Sequence, residues 1–200
     1  MPVILSSAYM PPISFFSAMK QSGEVLVEQH DFYRKQTYRN RCTIASAQGP
    51  MNLTVPVENG NRPGQPMKDV RISEHGNWRH LHWKALESAY TNSPFFLYYQ
   101  DDLRPFFEKR WDFLIDFNTE ITRTLLDLCH VKADIKLTDI YNKEYSPATL
   151  DLRHLADPAI MPTTSTPTYW QVFRQKNGFL QNLSILDLLF NMGPEVPLFL

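Results

Sequence analysis

The stretch KQTYRNRCTIASAQG, residues 35–49, sets an arginine on either side of an asparagine. Arg34, Lys35, Arg39 and Arg41 fall within one run of eight residues, in a chain whose formal net charge is only -1. Arginine carries a rigid planar fork of donors that meets a carboxylate or phosphate at two points. If residues 39–43 are extended, Arg39 and Arg41 project to one side and Tyr38, Asn40 and Cys42 to the other. Two guanidinium groups facing one way could embrace a diphosphate. The plain alternative is a set of solvated charges at the start of a strand.

Other candidates for chemistry are thinner. His80 and His82 form an H-x-H pattern, but on a helix they point about 200° apart and do not converge on one ion. No third ligand stands at zinc spacing, so no metal site is expected. His82 is a candidate general base because histidine titrates near neutrality, with a structural histidine as the plainer reading. Ser6, Ser7 and Tyr9 follow one apolar run, and Glu28, Gln29 and His30 follow another. In open α/β sheets, ligands favour the carboxyl ends of strands, so these polar groups are placed to meet one. Ser6 and Ser7 lack the G-x-S-x-G setting of an esterase nucleophile. No G-x-G-x-x-G and no P-loop occurs, and the sequence identifies no cofactor. Cys42 and Cys129 stand far apart and are expected to be buried as small hydrophobes.

The elements that must position these groups follow from the apolar periodicity. PVILSS, residues 2–7, reads as a buried strand, PISFFSAMKQS as a short helix ended by Gly23, and EVLVEQ as a second strand. Together they make a βαβ unit. RCTIASA and MNLTVPVEN, separated by Gln48, Gly49 and Pro50, read as a hairpin. Residues 59–67 read as a loop and KDVRIS as one more strand. Asn77 is positioned to cap a helix over NWRHLHWKALESAY. The apolar stripe through Trp111, Leu114, Ile121, Leu125 and Leu128 predicts the longest helix over 104–129, with Asn118 interrupting it. KADIKLTDIY supplies a late strand, and residues 142–168 form a long excursion or an ordered lid. Asn182 or Ser184 caps a last short helix that stops at Gly193. The expected class is α+β: a mixed sheet from the N-terminal half, packed by helices of the C-terminal half.

Composition sets the outer limits. Two hundred residues make one domain, and 43% hydrophobic with 13% aromatic residues suffices for a core without staples. The near-zero net charge provides no global field for nucleic acid or an anionic membrane, so any anion site is local. The amino terminus has prolines inside its apolar run and no basic segment before it, which reads as a strand and not as a signal peptide. No run approaches the roughly 18 apolar residues of a membrane span. These features point to a cytoplasmic protein.

Taken together, several segments resemble the WbqC-like family. SSAYMPPISFF stands where that family has a first strand and a Tyr-x-Pro turn, and VLVEQHDFYRKQTYRNRCTI matches its strand followed by K-x-x-[YW]-R-N-R. LTVPV, Trp78 with His82, AYTNSPFF at 89–96 and GFLQNLSILDLLFNMGP complete the series. Many members carry His-Gln-Pro where this chain has Ser6, Ser7 and Ala8, and paired acids where it has Glu28 and Gln29; it is similar to the shorter forms of Bacteroides-type bacteria. Proteins of this family occur among bacterial polysaccharide biosynthesis genes. The resemblance implies a transferase acting on an activated sugar or acyl group, including transfer of an amino acid such as glycine onto an amino sugar. It implies phosphate of a nucleotide-sugar or other donor at Arg39 and Arg41, with Asn40, Gln29 and Tyr9 as polar contacts. Tyr90 and Ser93 of the AYTNSPFF segment join them as substrate contacts, and His82 is the base. The alternative is a non-catalytic protein that binds a sugar-nucleotide or docks a partner enzyme.

Overall fold

In the computed structural model, which describes residues 1–58, 64–163 and 166–200, the chain opens with β1 (Val3–Ser6), α1 (Ile13–Ser22) and β2 (Glu24–Glu28). Val3, Ile4 and Leu5 are fully buried, as a central parallel strand covered on both faces requires. Gly23 ends α1 in the left-handed conformation, its N–H bonded to the Met19 carbonyl at 2.9 Å. A hairpin follows, β3 (Arg41–Ser46) with β4 (Gly49–Thr54), closed by Ala47 and Gln48. Its turn begins one residue earlier than the sequence suggested, because Gly49 and Pro50 pair with Ser46 and Ala45.

The helical part comprises α2 (Trp78–Tyr90), α3 (Phe96–Leu103), α4 (Pro105–Glu108) and α5 (Leu114–Leu128). Then come β5 (Asp134–Leu137), β6 (Leu150–Asp151), α6 (Arg174–Asn177) and α7 (Ile185–Met192). The class is α+β, with the expected βαβ start, hairpin and C-terminal helices. Its parallel and antiparallel parts are two sheets: four parallel strands in the order β5-β2-β1-β6, and the hairpin apart from them. The carboxyl ends of the four parallel strands therefore lie on one edge.

Several local expectations are corrected by contacts distant in sequence. The helix expected over 104–129 is broken between α4 and α5. Arg71 bridges Phe113, Ile72 N–H donates to the Asp112 carbonyl at 2.9 Å, and Leu114 N–H donates to the Val70 carbonyl at 2.9 Å. Those bonds hold Phe113 extended directly before the helix start, and Trp111 and Leu128 are only partly buried. The same contacts leave KDVRIS with single bridges, after a 3-10 turn at Met67–Asp69, and not a strand. Asn77 does not cap α2 with its side chain; it is left-handed, at φ 47°, following Gly76 at φ 81°. Ser184 caps α7, accepting from Leu186 N–H, whereas Asn182 accepts from Ser14 N–H at 3.0 Å and serves the start of α1. The excursion over 142–168 contains β6 and a 3-10 turn at Arg153–Ala156; its residues 164 and 165, and 59–63 of the expected loop, lie outside the described residues. Phe117, Ile121 and Leu125 of α5 and Leu188, Leu189 and Phe190 of α7 are fully buried in the core.

Candidate functional site

At the carboxyl edge of the parallel sheet Ser6 and Glu28 are register partners on β1 and β2. Glu28 is fully buried. Its Oε1 accepts from His30 N–H and from Thr138 Oγ1, each at 2.8 Å, which fixes the carboxylate plane. Its Oε2 has no hydrogen-bond partner and lies 3.7 Å from Arg153 Nη1. Gln29 Nε2 donates to the Thr138 carbonyl at 2.7 Å, tying the end of β2 to the end of β5.

Arg39 enters the same edge from the turn before β3. Its Nη2 donates to Ser6 Oγ at 2.9 Å and pairs with Asp31 Oδ2, and Ser6 Oγ donates to that oxygen at 3.0 Å. Residues 38–40 form a turn and β3 begins only at Arg41, so Arg39 and Arg41 do not project side by side as an extended segment would. Arg39 is turned inward and is 7% exposed.

Arg153, just after β6, completes the edge. Its guanidinium bonds Asp151 at 2.5–3.1 Å, the Asn142 carbonyl at 2.9 Å and the Lys143 carbonyl at 3.0 Å. It also lies 5.1 Å from the Tyr145 ring centre and 5.6 Å from that of Tyr141. Burial alone would raise the Asp151 carboxyl, but the Arg153 hydrogen bonds win and hold it below the usual range. Burial, and then the Glu28 charge, push the Tyr145 phenol up, partly offset by a hydrogen bond with the Asn142 side chain.

Asn40 and Arg41 open on a different feature, a cleft of about 310 Å³ lined also by Tyr33, Lys35, Gln36, Thr54 and Val57. Two cations and no carboxylate line it among the described residues, and neither cation makes an ion pair there. Arg41 Nε donates to Thr54 Oγ1 at 3.3 Å, and Asn40 Nδ2 donates to the Val55 carbonyl at 2.8 Å. The Tyr33 phenol is pushed up to about 12 by burial, partly offset by Arg41 and Arg39. An anion is the ligand such a lining favours.

The remaining sequence candidates lie elsewhere. Tyr9 Oη and His82 Nδ1 meet at 2.9 Å, both side chains buried, with Tyr9 stacked on Phe117. Burial lowers the His82 pKa to about 4, against a hydrogen bond to the Thr54 backbone that raises it. The imidazole, kept neutral by burial, bonds Tyr9 through Nδ1 and also the Thr54 backbone. The ring is thus engaged by protein on both of these contacts. Tyr90 Oη donates to Asp187 Oδ1 at 2.9 Å, and Ser93 Oγ donates to the Tyr90 carbonyl at 2.7 Å. Tyr169 and Gln171 donate to the other Asp187 oxygen, making a closed internal network. Gln29 and Arg39 therefore gather at the strand ends, Asn40 and Arg41 at the cleft, and Tyr9 with His82 and Tyr90 with Ser93 inside the core. Asp31, Thr138, Tyr145 and Arg153 were not among the candidates. Asp31 stands in the polar EQHD run after β2, which was a usable signal; Arg153 follows a strand of two residues, which gave none.

Among the described residues no group of three or more His, Cys, Asp or Glu is placed to hold a metal, and no helix is long and apolar enough to cross a membrane. No solved structure matches the chain. The uncharacterized protein Rv1507c of Mycobacterium tuberculosis is similar, 27% identical over an alignment of 225 positions that takes in 97% of this chain and 94% of that protein. The family model described as the WbqC-like protein family matches residues 6–157, an interval that holds both the strand-end cluster and the basic cleft. The chain belongs to the WbqC-like protein family.

Proposed function

We propose that the chain is a transferase of bacterial surface-polysaccharide biosynthesis, of the O-antigen or capsule type, working in the cytoplasm on a nucleotide-sugar or another phosphorylated donor. The group moved is an amino-acyl group such as glycine, or a related group, and the acceptor is an amino sugar. The pathway comes from the resemblance, including the short form seen in Bacteroides-type bacteria. The observation that carries the reading is the cleft beside β3, where Lys35 and Arg41 face an opening lined by no carboxylate among the described residues. Arg41 there has the bidentate fork and Lys35 the point charge that phosphate oxygens take. Arg39, on the other side of Asn40, braces the strand-end edge instead of touching phosphate.

A second reading, a non-catalytic binding protein of the same pathway, is favoured by one observation. The Ser6 hydroxyl, the His82 ring and both cysteines are engaged or buried, so none of them stands ready as a nucleophile. A thermal-shift screen against nucleotide-sugars, coenzyme A esters and aminoacyl donors tests the proposal. A donor at 100 times its dissociation constant stabilises by about 2.7 kcal/mol. Stabilisation by a phosphorylated donor, followed by product formation with an amino-sugar acceptor, is the expected result. Stabilisation without turnover favours the second reading, and no response to any phosphorylated compound overturns both.

A further inference from the structure

Buried side-chain polar atoms are nearly always paired, so an unpaired one on a residue that lines a cavity points to what the cavity holds. Asn40 lines the cleft beside β3, is 5% exposed, and its Oδ1 has no hydrogen-bond partner among the described residues. The orientation of its amide is fixed, because Nδ2 donates at 2.8 Å to the Val55 carbonyl, which can only accept. Val55 N–H donates in turn to the Asn40 carbonyl at 2.8 Å. Asn40 is thus tied by backbone and side chain to the end of β4, where Thr54 and Val57 on either side of Val55 also line the cleft. Its Oδ1 is the atom left over.

The polar groups beside it are mostly donors. Lys35 and Arg41 can only donate. The Tyr33 phenol, pushed up to about 12, keeps its proton at neutral pH and donates as well. Thr54 Oγ1 accepts from Arg41 Nε at 3.3 Å and has its own proton to give. Phosphate oxygens take such donors, but deprotonated ones bring nothing for Asn40 Oδ1 and repel it. A ligand that satisfies the whole lining carries an anion and, beside it, an O–H or N–H of its own. Tyr33 and Val57 add carbon surface, which serves a ligand with a carbon skeleton and not a bare phosphate.

We infer that the cleft is a sugar-phosphate site, in which Lys35 and Arg41 hold the phosphate and Asn40 Oδ1 accepts from a hydroxyl of the sugar that carries it. This rests on the reading of the cleft as a phosphate site and deepens it. A volume of about 310 Å³ is at the small end for small-molecule sites, with room for a pentose or hexose phosphate and not for a whole nucleotide-sugar. Both sugars present hydroxyls close to a phosphate ester, whether as the ribose of a nucleotide or as the hexose of a donor. Asn40 is then the specificity-determining residue, because it separates a sugar phosphate from anions of equal charge that have no hydroxyl.

The test is an NMR titration of the full chain, Asn40→Ala and Arg41→Ala with methyl phosphate, ribose 5-phosphate and glucose 1-phosphate. It is run at about pH 8, where phosphate monoesters are dianions. Methyl phosphate supplies the charge without a hydroxyl. At least one sugar phosphate binds the wild type roughly fivefold tighter than methyl phosphate, about what one net hydrogen bond contributes. Asn40→Ala reduces that preference to within about twofold, and Arg41→Ala weakens every ligand about tenfold while keeping the preference. Which of the two sugars is preferred tells the ribose of a nucleotide from the hexose of a donor. If Asn40→Ala does not fold, having lost its bond to Val55, the wild-type preference decides. Sugar phosphates no tighter than methyl phosphate, or a preference unchanged by Asn40→Ala, overturn the inference and leave the phosphate reading standing. No binding of any of the three ligands, or methyl phosphate binding unchanged in Arg41→Ala, overturns both.

Discussion

Acidification tests the placement of His82 quantitatively. Unfolded, the imidazole titrates near 6.5; folded, burial beside Tyr9 and Trp78 lowers it to about 4, against the Thr54 backbone bond that raises it. Above pH 6.5 both states are neutral at this site, and it contributes no pH dependence. As pH falls from 6.5 toward 4 the unfolded chain binds a proton that the folded one excludes, so stability falls with pH. Below about 4 both bind it and the loss levels off. One pH unit is worth about 1.4 kcal/mol, so the span gives a loss of about 3 kcal/mol. Asp187 acts in the opposite sense, because burial raises its carboxyl pKa and its contribution is gained as pH falls. Subtracting a His82→Gln variant cancels that term. Urea unfolding of both proteins at intervals between pH 7.5 and 4 should give a difference that grows by about 3 kcal/mol. A difference that stays flat between pH 6.5 and 4.5 would refute a buried, neutral His82 and return it to the list of exposed bases.

Other consequences are equally specific. Gly193 has φ 53° and a Cβ built there would meet the Phe95 ring at 2.6 Å, so Gly193→Ala should cost roughly 2–3 kcal/mol in urea unfolding. A cost below half a kilocalorie would mean that α7 does not pack there. Arg39→Ala leaves Asp31 without its cation in a site where its side chain is only 12% exposed, and should cost about 3–5 kcal/mol. A neutral outcome would place the pair in solvent. Cys42 and Cys129, whose thiols burial pushes far up, should react with a disulfide reagent only as fast as the chain unfolds; rapid native labelling of Cys42 would contradict its place on the buried face of β3.

Some of this organisation is legible in the residues and some is not. PVILSS, the Gly23 stop and EVLVEQ carry local signals strong enough to locate β1, α1 and β2. The break before α5 is invisible locally, because it is imposed by Val70, Arg71 and Ile72 from forty or more residues upstream. β6 has two residues and no period at all. The basic cluster is legible as a cluster, but its division is not. Arg39 turns inward because Ser6 and Asp31 await it, while Arg41 begins a strand whose partner Thr54 holds it at the surface. His82 likewise has the composition of a catalytic base, and only its bond to Tyr9, 73 residues away, shows that the ring belongs to the core.

The central claim is that the cleft beside β3 holds phosphate, and isothermal titration of a nucleoside diphosphate such as UDP into the wild type and Arg41→Ala tests it most directly. Removing one charge-assisted contact of this kind costs about 1.5–3 kcal/mol, at least tenfold in affinity. Arg41 lies at the surface with one weak bond to Thr54, so the melting temperature should hardly change. The account predicts binding by the wild type, at least tenfold weaker binding by Arg41→Ala, and matching melting curves. Equal affinity in the two proteins, or no heat of binding in either, would contradict it.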